Sequence, residues 1–200
     1  MLALVCINTF MQTHLIQQRG LVDTLNIYSP YLTYAVTLTL KQRAKIRVKR
    51  FSNWDGEYNE FSVGLTEEIT LQTIDYFNAR LTHYVFGKDA RKTSTKHYSQ
   101  PLLITAIEGL NSDKRIHIHA AIGNLPTIYL YKAHEWISRA WADCDFAHKQ
   151  IKIKKLTDSY GWLDYMTKEV GVGNTDAICI NSIKQPQSIK QLVGAESSYN

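Results

Sequence analysis

The 200 residues carry 23 Lys and Arg against 18 Asp and Glu, a net charge of +5, with 44% hydrophobic and 11% aromatic residues. That is chain enough for one domain with a sizeable core, and the composition excludes a disordered polar polymer and leaves little room for a second full domain. The basic balance, with a pI near 9.0, favours an acidic partner such as nucleic acid.

Cys6, Cys144 and Cys179 are too few, too far apart and of the wrong parity for a disulfide framework, which points to a reducing, cytoplasmic setting. The apolar opening from Met1 to Ile7 lacks a basic leader and a small-residue cleavage site, so it does not read as a signal peptide. No apolar run reaches bilayer-spanning length, and no membrane partner is expected.

In chain order, residues 1–30 place Leu4, Ile7, Phe10, Met11 and Leu15 at helical spacing, an N-terminal helical extension. Tyr31 to Leu40 is rich in β-branched and aromatic residues and alternates after Ala35, the mark of a strand. It runs into Lys41, Arg43, Lys45, Arg47 and Lys49, cations at every second position. Extended, they share one face and could track a phosphate backbone; equally, they could guard an edge strand against aggregation. Asn53 to Gly56 reads as a turn.

Thr66, followed by Glu67 and Glu68, caps a helix to about Tyr84, with Leu71, Ile74, Phe77, Leu81 and Tyr84 as its expected buried stripe. A basic loop covers 87–100 and contains His97. Strands follow at 101–108 and 116–122, joined by a turn at 111–114, then a helix at 131–142 and a basic strand-like segment in which Lys152 and Lys154 alternate with Ile151 and Ile153. A last helix starts at Asp158 or Ser159 and ends near Val170. Residues 171–200 show no periodic pattern and read as a tail whose final residues are mobile.

The first six main elements run strand, helix, strand, strand, helix, strand. That order specifies an α+β fold of ferredoxin-like, split β-α-β type: a central antiparallel sheet with helices on one face and the other face free for a ligand.

The chemistry concentrates in Ile116-His117-Ile118-His119. On a strand the two imidazoles point the same way and the isoleucines the other, so the histidines can take neighbouring positions around one metal ion. If Ser112-Asp113 is a two-residue hairpin loop, Glu108 lies directly opposite His117, with Cβ atoms about 4.5–5.5 Å apart. Two imidazoles and a carboxylate on a flat sheet leave one side of the coordination sphere open. Such a set suits Mg²⁺ or Mn²⁺ with a substrate phosphate, and can also hold Zn²⁺ or Fe²⁺. Downstream, Tyr165 and Lys168 stand at i and i+3 on the last helix, and a neighbouring ammonium favours the phenolate. Tyr160 is the competing tyrosine, on a different face.

The strand Tyr34 to Thr39, then Glu108 with His117-Ile118-His119, then Tyr165-Met166-Thr167-Lys168, in that order, resembles the three motifs of the HUH endonucleases, in particular rolling-circle replication initiators of small plasmids, phages and single-stranded DNA viruses. The resemblance spans about residues 32–170 and implies an endonuclease domain at 31–170, between the extension and the tail. It implies binding of single-stranded or hairpin origin DNA and Mg²⁺ or Mn²⁺ held by Glu108, His117 and His119. Tyr165 would be the nucleophile that leaves a 5′-phosphotyrosyl adduct, and Lys168 would position phosphate or tyrosine. Lys41, Arg43, Lys45, Arg47, Lys49, Lys152 and Lys154 would contact DNA.

No phosphate-binding glycine loop is present, so helicase and polymerase would be separate chains. In a eukaryotic host the setting would be the nucleus or a viral replication site. A plasmid relaxase or single-strand transposase would share the chemistry. A non-catalytic single-strand-binding domain, or a His/Glu metallohydrolase without a tyrosyl intermediate, would not.

Overall fold

The alternation of Leu32–Leu40 (β1) divides the molecule. Tyr34, Val36, Leu38 and Leu40 point to one face and are buried, while Ala35, Thr37 and Thr39 point to the other. The computed structural model describes residues 2–49, 58–92, 99–110, 114–178 and 183–196, with the backbone alone for 2–11, 48, 49 and 192–196. The turn expected at 53–56, His97, the proposed loop residues Ser112 and Asp113, Cys179 and the side chain of Lys49 therefore lie outside the described residues.

β1 pairs antiparallel with His117–Gly123 (β5) on one side and Ala147–Lys155 (β6) on the other, and Leu102–Glu108 (β4) pairs outside β5. The resulting order β4-β5-β1-β6 is a four-stranded antiparallel sheet in which the first and third strands of the set lie at the centre. With its helical crossovers this is the ferredoxin-like, split β-α-β arrangement.

Glu67–Phe86 (α2) and Ala133–Ala142 (α3) cover one face. Thr66 caps α2, its hydroxyl accepting from the Ile69 amide at 3.2 Å. The buried stripe of α2 differs from the expected one at its start. Ile74, Phe77 and Leu81 are buried, but Leu71 is 41% exposed, and Thr70 and Thr73 are buried in its place. Those hydroxyls donate to the carbonyls of Thr66 (2.8 Å) and Ile69 (2.7 Å), so they enter the core with their hydrogen bonds made. Phe77 meets Trp141 of α3 edge to face, 5.8 Å between ring centroids.

The basic run does not extend the main sheet. At Lys41-Gln42 the chain turns away, and Arg43–Lys49 (β2) pairs only with Tyr58–Gly64 (β3) in a separate ribbon. The Gln42 side chain fixes the root of this ribbon: its amide donates to the carbonyls of Leu40 and Ile116, and its oxygen accepts from the Ile116 amide.

The second face of the sheet is half covered rather than free. Leu2–Asn26 (α1), Ser159–Met166 (α4) and Lys168–Gly171 (α5) lie over β4 and β5, where Val22, Leu25, Leu163 and Met166 meet Leu102, Ile104, Ala106 and Ala121. Single residues beyond 171 join this second core. Ile178 and Ile189 are buried in it, Lys184 bridges to Leu103 on the edge of β4, and Gln187–Glu196 (α6) is helical. β1 and β6 remain open on this side. No helix among the described residues is long and apolar enough to cross a membrane.

Candidate metal centre and tyrosine helix

The register of β4 on β5 places Glu108 opposite His117 and Ala106 opposite His119, as the hairpin argument required, while β1 brings Thr39 to His117 and Thr37 to His119. Three side chains converge. Oε2 of Glu108 lies 2.9 Å from Nε2 of His119 and 3.1 Å from Nε2 of His117, and one ligand atom from each residue falls within 4.8 Å of the others. Glu108 and His119 are buried and His117 is half-buried. This group could hold a metal ion.

The outer nitrogens support that reading. Nδ1 of His117 donates to the carbonyl of Arg115 at 3.0 Å, so in the neutral ring Nε2 carries a lone pair. A lone pair facing a carboxylate oxygen at 3.1 Å is repulsive unless a proton or a cation stands between them. Nδ1 of His119 lies 3.2 Å from the hydroxyl of Thr37. With a metal at Nε2 this nitrogen would donate to Thr37, which orients the ring as metal-bound histidines require.

Electrostatics keep Glu108 and His119 in ligating form. Burial opposes the charge on Glu108, but hydrogen bonds from Lys168, His119 and Lys114 outweigh it and hold the carboxyl down to about 2. Burial pushes the His119 imidazolium down to about 4; His117 and Lys168 add to this, and Glu108 opposes it. At neutral pH the pair is therefore a carboxylate and a neutral imidazole, the forms that bind metal.

Tyr165 reaches this group from α4. Asp158 caps that helix, its Oδ1 accepting from the Gly161 amide at 2.8 Å. The Tyr165 ring packs edge to face on His119, 5.0 Å between centroids, and stacks on Trp162 at 5.4 Å with planes 23° apart. Its side is open, and the residue is 44% exposed. Lys168 stands between nucleophile candidate and carboxylate: its ammonium pairs with Glu108 Oε2 and lies 3.9 Å from the Tyr165 ring centroid. Burial lowers the ammonium pKa less than contacts with Glu108 and Tyr165 raise it, so Lys168 is held as a cation.

The expected continuous last helix is broken at Thr167, whose hydroxyl donates to the carbonyls of Leu163 and Asp164, both at 3.0 Å. The break leaves Lys168 at the start of α5 but still beside Tyr165. Tyr160 points elsewhere, its hydroxyl 3.5 Å from Asp23 on α1.

The basic candidates divide. Lys152 and Lys154 on β6 stand opposite Thr37 and Ala35, on the open part of the site face. Arg43, Lys45 and Arg47 are exposed on the ribbon, where Lys45 (3.9 Å) and Arg47 (2.8 Å) pair with Glu60. Lys41 donates to the carbonyl of Asp145.

Three residues at the centre escaped the sequence reading. Trp162 stands three positions before Tyr165, so the helical spacing that linked Tyr165 to Lys168 would have found it. Thr37 has the right strand parity, but which histidine it meets depends on a register that spacing does not encode. Lys114, 3.2 Å from Glu108 Oε1 and 3.8 Å from Glu169, arrives from a turn and leaves no pattern. No protein-family model, curated protein or solved structure matches this chain.

Proposed function

We propose that this protein is a metal-dependent nuclease and strand transferase of HUH type that nicks and rejoins single-stranded DNA through Tyr165, in the role of a rolling-circle replication initiator. The observation that carries the reading is the packing of an accessible tyrosine directly on a metal-competent His/His/Glu group, with a cation in contact with both. Hydrolysis by a metal-bound water needs no such tyrosine.

Glu108, His117 and His119 would hold the ion, and their oxygen-and-imidazole set on one side of it suits Mg²⁺ or Mn²⁺. When bound, the metal supplies Lewis-acid polarisation of a non-bridging phosphate oxygen. The Tyr165 oxygen forms a bond to phosphorus as the bond to the 3′ oxygen breaks. The phenolic proton leaves to solvent, and the departing 3′ oxygen takes one up. Lys168, held as an ammonium, cannot be the base; it stabilises the phenolate electrostatically and keeps the ring over His119. The products are a 5′-phosphotyrosyl adduct and a free 3′-OH, and reversal of the same step rejoins strands.

The test is a denaturing gel of the protein with labelled single-stranded DNA and Mn²⁺. Wild type is expected to yield a slow-migrating covalent adduct that Tyr165→Phe abolishes and Tyr160→Phe retains. Cleavage that survives Tyr165→Phe would convert the reading to simple hydrolysis.

A further inference from the structure

The open part of the site face holds a second constellation. Beside Tyr165, away from Glu108, lies a pocket of about 330 Å³ lined by Ala35, Thr37, Lys152, Lys154, Trp162 and Tyr165. Its floor is formed by the short side chains of Ala35 and Thr37, and Lys154 and Lys152 stand directly across from them on β6. Its wall is the Trp162–Tyr165 stack. The Trp162 indole N–H is already donated to the Ala120 carbonyl at 3.2 Å, which locks the ring and leaves its π surface, not its donor, for a ligand. No carboxylate pairs with Lys152 or Lys154 among the described residues. Two uncompensated ammoniums facing a rigid aromatic wall across a small-residue floor fit a flat aromatic ligand that carries a phosphate.

We infer that this pocket is a nucleotide subsite for the strand that Tyr165 cleaves. It takes the nucleotide flanking the scissile phosphate, with the base against the Trp162–Tyr165 wall and a backbone phosphate at Lys152 and Lys154. The inference rests on the proposed function for the identity of the strand as DNA. Because the indole donor is spent, the wall recognises a base by its face, and the subsite tolerates any base. Duplex DNA is excluded, since a paired base cannot turn its face to the wall. Target choice must then reside elsewhere in the chain. Thr37 links the two sites: the hydroxyl that lines the pocket also contacts Nδ1 of His119.

Binding separates this inference from the cleavage reading, because the subsite needs neither metal nor the Tyr165 hydroxyl. Fluorescence anisotropy of a labelled oligo(dT) is measured with Tyr165→Phe protein in EDTA. Oligo(dT) is expected to bind roughly tenfold or more tighter than an abasic strand of equal length, the difference one stacked base makes. Adding Lys152→Gln and Lys154→Gln, both on exposed positions that leave the fold intact, is expected to weaken binding and lower the slope against log salt by about one. Trp162→Phe, which keeps an aromatic wall, is expected to retain the preference for oligo(dT) over the abasic strand. Equal affinity for abasic and oligo(dT) strands, or a double lysine variant that binds like its parent, overturns the subsite even if wild type still forms the adduct. Competition by free dTMP at the oligonucleotide's own concentration also overturns it, since the pocket would then serve a mononucleotide. If the binding results hold but no adduct ever forms, the subsite stands and the cleavage reading falls.

Discussion

Glu108 concentrates the site's electrostatics on one buried carboxylate. Two imidazoles and the Lys168 ammonium meet Oε2, and the Lys114 ammonium meets Oε1. Because its folded pKa is depressed to about 2 from 4.5, its contribution to stability is complete above 4.5 and is lost as pH falls through 2. His119 has a folded pKa near 4 against an ordinary 6.5, so the unfolded chain binds the proton first and stability declines as pH falls from 6.5 toward 4. In the presence of chelator, urea unfolding is expected to show stability falling in two stages over these windows. His119→Gln should flatten the upper stage and Glu108→Gln the lower. In a Mn²⁺ titration at neutral pH, Glu108→Gln is expected to lose at least roughly tenfold in affinity, a loss seen even for groups that only orient a ligand. Unchanged Mn²⁺ binding would remove Glu108 from the ligand set. The histidine pair and its carboxylate were legible because strand parity and one hairpin register suffice to align them. Lys114 and Thr37 were not, because they come from a turn and from a strand whose register no local pattern states.

At the scale of the element, α4 is short and exposed on the side that matters, so its cap carries unusual weight. Asp158 holds the first turn through the Gly161 amide, and a Cβ at Gly161 would fall 2.2 Å from Asp158 Oδ2. Loss of this cap costs about 1 kcal/mol and frees the turn that carries Trp162 toward Tyr165. Asp158→Ala is therefore expected to lower stability by about that amount in denaturant unfolding, while adduct formation falls further than the small loss of folded protein accounts for. Asp158→Ser, which restores an acceptor, should recover most of both. Adduct yield that simply follows the folded fraction would reduce the cap to a structural role. The sequence carried the start of this helix in its capping residue, but not its break at Thr167, which depends on a buried threonine bonding back to two carbonyls. The alternating cations at 41–49 likewise announced an extended segment without revealing its partner. At Gln42, where β2 leaves the main sheet, the side chain hydrogen-bonds to Leu40 at the end of β1 and to Ile116 just before β5.

Across the whole molecule one sheet separates two cores, and only the first was written in the periodic pattern. The order of strands and crossover helices led to the ferredoxin-like half because each of those elements has a strong repeat of its own. The second core joins Val22, Leu25 and Tyr28 near the N-terminus to Ile178 and Ile189 near the C-terminus, across the face of β4 and β5. Single apolar residues that distant, the latter pair in a segment without periodicity, give no local signal of shared burial. A boundary drawn at 31–170 from motifs alone cuts through this core. Fully burying each of these five side chains contributes about 1.5–3 kcal/mol, on the order of 10 kcal/mol together, against a typical domain stability of about 5–15 kcal/mol. The fragment 31–170 keeps Glu108, His117, His119, Tyr165 and Lys168 but leaves Leu102, Ile104 and Leu163 without their cover. The 200-residue chain is expected to unfold in one cooperative transition that engages both cores. The fragment is expected to bind a hydrophobic dye, lack a sharp transition and form no adduct. A fragment that melts cooperatively and still couples to DNA would show that the flanking segments are appendages rather than half of the core beneath the site.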